Sequence, residues 1–177
     1  MTGLRSQLAS SAAALACLAA QPALAGSAGT TVAGGTVGGQ VAAPIALVAV
    51  KPLSFGTFAQ PTTAGTMVMA PQGGFTTTGG MTSASGVAQP TTRGAAAFTV
   101  SGTPGASYGI YGVASVTISN GSATMTVSQF TTDVGLAIGQ LGAGGTSSFD
   151  IGGTLTASAR QAPGAYTGTF PIIVQYY

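Results

Sequence analysis

Six charged side chains are spread through the 177 residues: Arg5, Lys51, Arg93, Arg160, Asp133 and Asp150, with no His and no Glu. General acid–base catalysis near neutral pH draws first on imidazoles, perturbed carboxylates and thiols. Here imidazole is missing, and the single thiol, Cys17, lies in an N-terminal apolar run. Asp133 follows Thr131-Thr132 and reads as a turn residue, while Asp150 reads as the outward residue of a strand. Neither has a carboxylate neighbour in sequence for glycosidase-type chemistry. Zinc calls for His or Cys ligands and calcium for clustered carboxylates, and the chain supplies neither. Serine nucleophiles have no base to activate them. Gly142-Ala143-Gly144-Gly145 has the glycine content of a phosphate loop but no Lys-Ser/Thr after it, and reads as a connection between strands. The cations are too few to follow a phosphate backbone. The expectation is a protein that is not an enzyme, uses no metal and no cofactor, and binds no nucleic acid.

The bulk composition says what kind of surface the elements must present. Hydrophobic residues make up 45% of the chain and charged residues 3%, with 29 glycines and 9 prolines. An ordinary soluble domain carries about a quarter charged residues, and disorder by charge repulsion needs the opposite balance. A surface of Thr, Ser, Gly and Gln suits an extracellular fibre, coat or membrane protein better than a crowded cytosol, where net charge keeps chains apart.

Residues 1–25 read as a secretory signal peptide: Arg5 in a short polar start, an apolar run from Leu8 to Ala20, then Ala23-Leu24-Ala25 as a small-x-small cleavage site. The run is too short for a membrane span. A second reading takes Ala14-Leu15-Ala16-Cys17 as a lipoprotein cleavage box with the cysteine lipidated. Residues 26–44 form an N-terminal extension rich in Gly, Thr, Ser and Ala, a linker by composition. Its apolar residues nevertheless run on at odd positions: Val37, Val41, Ala43, Ile45 and Leu47, with Gly39 in the gap. Two readings stand. Either a strand with one apolar face begins at Val37, or a disordered leader precedes an ordinary first strand from Ile45 to Val50.

Residues 45–177 read as one domain of short strands punctuated by turn residues. Leu53–Phe58 sets Leu53 and Phe55 on one face, and Gly65–Met69 follows the Gln60-Pro61 break. Phe75–Thr78 is a weaker strand signal. Ala97–Gly102 buries Phe98 and Val100, and Tyr108-Gly109-Ile110 repeats the alternation. Val116–Val127 reads as a hairpin on a type I′ turn at Asn120-Gly121, which explains Asn120-Gly121-Ser122 without a glycan. Val134–Leu141 fits a strand or a short helix. Ser148–Ala157 sets Phe149, Ile151, Leu155 and Ala157 on one face. A turn at Gln161–Gly164 leads into a last strand with Tyr166, Phe170, Ile172, Val174 and Tyr176 on one face, running to the final residue. With no helical period of useful length, the fold class is all-β, an antiparallel sandwich.

The series Leu53–Gly56, Gly65–Val68, Ala97–Gly102 with Tyr108–Ile110, Met125–Val127, Phe149–Leu155 and Gly164-x-Tyr166-x-Gly168-x-Phe170 with Val174 and Tyr176 carries a resemblance. It looks like a family of secreted proteobacterial β domains of unknown function, similar in turn to subunits of chaperone-usher pili and spore-coat-type surface fibres. The resemblance implies an immunoglobulin-like, pilin-type sandwich that lacks a strand. In such subunits a periplasmic chaperone, and then the extension of the next subunit delivered at an outer-membrane usher, fills the gap. Pilins of this kind commonly carry a glycine fourteen places from the end and a penultimate aromatic, where Gly164 and Tyr176 stand here. The chain departs from many of them in having no mature cysteine pair.

Under that resemblance, Val37, Gly39, Val41, Ala43, Ile45 and Leu47 form the donated face. Gly164, Tyr166, Phe170, Ile172, Val174 and Tyr176 form the groove wall that a chaperone or neighbour contacts. The expected function is a structural subunit of a surface pilus or extracellular fibre, with copies of itself or related pilins as partners. Its expected route runs through the periplasm to the cell surface. The alternatives are a self-contained secreted sandwich that coats the cell or binds carbohydrate, and a small outer-membrane barrel. Intact-mass measurement of the exported protein is expected to give a chain beginning at Gly26; a lipidated chain beginning at Cys17 replaces that reading.

Overall fold

A computed structural model describes residues 34–81 and 93–177. Residues 1–25, read as a signal peptide and containing Cys17, and the extension as far as residue 33 lie outside the described residues. The chain divides into Met1–Gly39 and Gln40–Tyr177. In the first unit, residues 34–39 are exposed and carry no regular secondary structure.

The second unit is all-β. Its strands in chain order are β1 (Ala46–Lys51), β2 (Gly65–Met69), β3 (Phe75–Gly79), β4 (Ala96–Ser101), β5 (Ser107–Gly112), β6 (Ser115–Ser119) and β7 (Thr124–Thr132). A 3-10 turn at Gly135–Ala137 precedes β8 (Ile138–Gln140), β9 (Thr146–Ala157) and β10 (Ile172–Tyr176). All pairings are antiparallel and form two sheets that do not close into a barrel.

The 12-residue β9 is the spine of the larger sheet. Its first half pairs with β4, from Ser101↔Thr146 to Ala96↔Ile151, and its second half with β2, from Met69↔Gly153 to Gly65↔Ala157. The opposite edge carries β7, with β6 beyond it. Strand β1 flanks β4, and β3 flanks β2. The smaller sheet runs β10-β5-β8.

Period-2 alternation turns Phe149, Ile151, Leu155 and Ala157 inward, none more than 3% exposed. They serve two cores. Leu155 and Ala157 join Met67, Met69, Met125 and Val127 under the β2–β7 half. Phe149 and Ile151 join Phe98, Val100, Tyr108 and Leu141 between the two sheets. Phe98 stacks on Phe149 with centroids 5.3 Å apart.

Several local expectations change. Leu53–Phe58 forms no strand, only isolated bridges at Ser54, to Gly94, and at Phe58, because Gly56 at φ +70° breaks the extended run. The first strand begins at Ala46, so the extended run read from Val37 is absent as a strand in the single chain. The hairpin forms, but its turn is not type I′: Gly121 is at φ +92° and Asn120 is not at positive φ. Asn120 Oδ1 instead accepts the N–H groups of Ser122 and Ala123 at 3.0 and 2.8 Å. This side-chain capping competes with the backbone turn and shifts its frame by one residue. Residues 134–141 divide between the 3-10 turn and β8. The last strand keeps its alternation from Tyr166 to Tyr176, but regular pairing starts only at Ile172. Pro171 has no N–H to give to a ladder at that junction.

Phe149→Ala is expected to lower unfolding free energy by about 3–5 kcal/mol, the usual cost of emptying a buried phenylalanine site. Urea unfolding measures it.

Candidate functional site: an apolar groove

Strand β1 is the last strand of the larger sheet on one side and β10 is an outer strand of the smaller. The two come within 8 Å between Cα atoms but do not pair. Past them, the segment that follows β1 and the segment that precedes β10 part to leave a groove of about 910 Å³. Val116, Ile118, Met125, Val127 and Leu155 line it, with Phe98 and Phe170 at one end. Phe170 stacks on Phe130 at 5.1 Å and meets Phe98 edge-on at 6.2 Å.

Residues 52–61 make the first wall. Arg93 holds them: Nε donates to Phe55 O and Nη2 to Thr57 O, each at 3.0 Å, while the guanidinium lies 4.3 Å from the Phe75 ring centroid. A Cβ at position 56 would stand 2.8 Å from Arg93 Nε, so this wall requires glycine there. Leu53, Phe55 and Phe58 are thereby packed into the first core.

Residues 163–170 make the second wall. Thr167 exchanges two backbone hydrogen bonds with Ser119 at 2.9 and 3.0 Å. Backbone groups alternate between the two edges of an extended chain, so those of Tyr166 and Gly168 turn to the other edge. Among the described residues they have no partner. The wall is nevertheless fixed. The Tyr166 hydroxyl donates to Ala162 O at 2.7 Å and accepts from Gln161 Nε2 at 2.8 Å. The buried Gln161 also donates to Thr124 O at 3.1 Å. Asn120 Nδ2 donates to Pro163 O at 3.2 Å. Next to it Gly164 sits at φ +146°, where a Cβ would stand 2.8 Å from that nitrogen.

The groove brings together part of the predicted C-terminal face and none of the predicted donor face. Gly164, Tyr166 and Phe170 line it, whereas Ile172, Val174 and Tyr176 are half-buried on the second core. Val37, Gly39 and Val41 are exposed, Val37 and Val41 by 101% and 97%. Ile45 and Leu47 pack against the second core of their own domain. Ala43 is held at the far end of β1: its N–H donates to Thr103 Oγ1 at 2.9 Å and its carbonyl accepts from the Tyr176 hydroxyl at 2.6 Å.

Sequence reasoning missed Phe58, Arg93 and Gln161 as wall builders. Nothing periodic marks them, because the first wall is not a strand. The scarcity of charge was the one signal that could have singled out Arg93.

The two aspartates meet through backbone. Asp133 accepts the Asp150 N–H on Oδ1 at 2.8 Å, and its own N–H donates to Asp150 O at 3.3 Å. Asp150 also lines a recess of about 320 Å³ with Lys51 and Arg93. Among the described residues no group of three or more metal-ligating side chains gathers. Among them, too, no helix is long and apolar enough to cross a membrane.

Fold and groove define the class: an all-β sandwich domain with an apolar groove beside an unpaired strand edge. The chain belongs to the family described as a domain of unknown function, DUF4402, whose family model matches residues 45–176. No curated protein and no solved structure matches the chain.

Gly164→Ala is expected to cost about 1–3 kcal/mol, since alanine is strained at this φ and its methyl meets Asn120. Denaturant unfolding, read beside the neighbouring exposed Ala165→Gly as a control, separates that local demand from a general effect of the segment.

Proposed function

We propose that this protein is a structural subunit of a bacterial surface pilus or extracellular fibre, assembled when one copy donates a strand to the groove of the next. One observation carries the reading: an apolar groove of about 910 Å³ runs beside a chain segment whose Tyr166 and Gly168 backbone groups are unpartnered among the described residues. A strand laid there gains main-chain hydrogen bonds from the edge and seats alternate side chains on the floor. Left empty, such an edge is a liability for an isolated subunit.

The extension is a suitable donor. Val37 and Val41 stand one residue either side of Gly38–Gln40, on the same face of an extended chain, and both are exposed. Burying each contributes about 1.5–3 kcal/mol. Ile45 and Leu47 already serve their own core, so the donated part is the stretch before Ala43. The resemblance to chaperone-usher pilins supplies the remaining partners: a periplasmic chaperone that occupies the groove first, and an outer-membrane usher. Export through the leader and a surface with few charges agree with an extracellular fibre.

The exported protein is expected to form polymers in light scattering that vanish when residues 26–43 are removed. Val41→Asp is expected to abolish them while leaving the unfolding midpoint unchanged, because Val41 touches nothing in its own domain. Ile45→Asp is a poorer probe, since it also damages the core. A monomer at all concentrations, equally stable with and without residues 26–43, overturns the proposal.

A further inference from the structure

Beyond the groove, where β1 begins and β10 ends, Tyr176 ties three segments together. Its hydroxyl donates to Ala43 O at 2.6 Å and accepts from Thr103 N–H at 2.8 Å, and it lies 3.3 Å from Thr103 Oγ1. Thr103 Oγ1 in turn accepts the Ala43 N–H at 2.9 Å. Every polar group in this knot has a partner, and both polar backbone groups of Ala43 are spent in it. The knot lies beyond the start of β1 (Ala46) and at the end of β10 (Tyr176), whereas the groove lining reaches Ala49 on β1 and Phe170 before β10. About six strand steps of roughly 3.3 Å separate the knot from the groove.

A strand that passes between two others needs its flanks about 9.5 Å apart, twice the spacing of neighbouring strands. β1 and β10 approach within 8 Å. An occupant entering at the wide end can pair along residues 163–170, but it can advance between β1 and β10 only if they separate. The Tyr176–Ala43 hydrogen bond is the polar tie across that gap, beside the packing of Ile45, Leu47, Ile172 and Val174 on the shared second core. Ala43 is also the root of the extension.

We propose that Tyr176 is a latch that couples filling of the groove to release of the root of the subunit's own extension. As the incoming strand wedges β10 away from β1, the Tyr176 hydroxyl leaves Ala43, and the donated stretch, already exposed over residues 34–42, lengthens to include the backbone groups of Ala43. The knot's bonds to Ala43 are solvent-exposed, so a strand burying two valines outweighs them. Coupling of this kind is reciprocal: whatever frees Ala43 also makes the groove easier to fill. The inference rests on the reading of the groove as a strand acceptor and adds a regulatory step to it.

The test uses the exported protein, dilute enough to be monomeric, and a synthetic peptide of residues 34–44 as the occupant. Tyr176→Phe keeps the half-buried ring and removes only the hydroxyl. The latch predicts that Tyr176→Phe binds the peptide roughly tenfold more tightly than the parent. It also predicts that peptide binding strips the Ala43 amide of its hydrogen-exchange protection in the parent protein. Equal or weaker binding by Tyr176→Phe overturns the latch while leaving the acceptor reading intact, as does unchanged Ala43 protection in the peptide-bound protein. Failure of both proteins to bind the peptide overturns the acceptor reading and the latch with it. A peptide carrying Val37→Asp and Val41→Asp is expected not to bind, which separates seating in the groove from adhesion elsewhere.

Discussion

One strand has to serve two cores, and the architecture follows from how it does so. Along β9, Phe149 and Ile151 face the smaller sheet, while Leu155 and Ala157 face the loops and hairpin beyond it. One edge of β9 is shared end to end by β4 and β2, so the sheet forks there. The fork leaves β1 on one branch and sends β6 and β7 round the other side. The C-terminal chain then runs antiparallel to both β6 and β5, touching Ser119 through Thr167 and pairing with β5 through β10. Its outer edge faces β1 across a space that no strand among the described residues fills. The groove is thus the remainder of the topology, with aromatic rings at its β1/β10 end and the hydrogen-bonded knot further along those two strands.

The same logic explains why so few polar specialists carry so much local structure. With 3% charged residues, the fold cannot rely on ion-pair networks. It uses single polar groups where irregular chain must be held: Arg93 on the carbonyls of the first wall, Gln161 with Tyr166 on the second, and Asn120 at the hairpin tip. Each satisfies backbone groups that no ladder reaches, which is the condition for burying loop segments beside a core. Asp133 does the same for the Asp150 N–H at the end of β7. The Asp133 carboxylate therefore has a structural task.

How much of the site was legible depends on the residue. The inward face Tyr166, Phe170, Ile172, Val174 and Tyr176 was readable because side-chain alternation is a local consequence of an extended backbone. All five are half-buried, and each odd-numbered residue from Thr167 to Tyr177 is exposed. Sequence could not reveal that Pro171 separates a groove-lining part from a paired part, nor that Ile45 and Leu47 belong to their own core. Those assignments depend on which strand lies opposite. Leu53 and Phe55 were correctly read as inward, but by way of a strand that Gly56 and Arg93 convert into a wall.

By itself, the sequence determined the all-β class, the inward residues of nearly every strand, the hairpin and the shortage of catalytic groups. All of these follow from residue chemistry and from a period of two along the chain. Only the tertiary structure decided that β9 would be shared by β2 and β4, that β1 and β10 would be left unpaired with each other, and that Tyr176 would grasp Ala43. Those are contacts between residues up to 133 positions apart. Their free energy depends on which surfaces remain uncovered after every nearer pairing is made, and no local pattern carries that information.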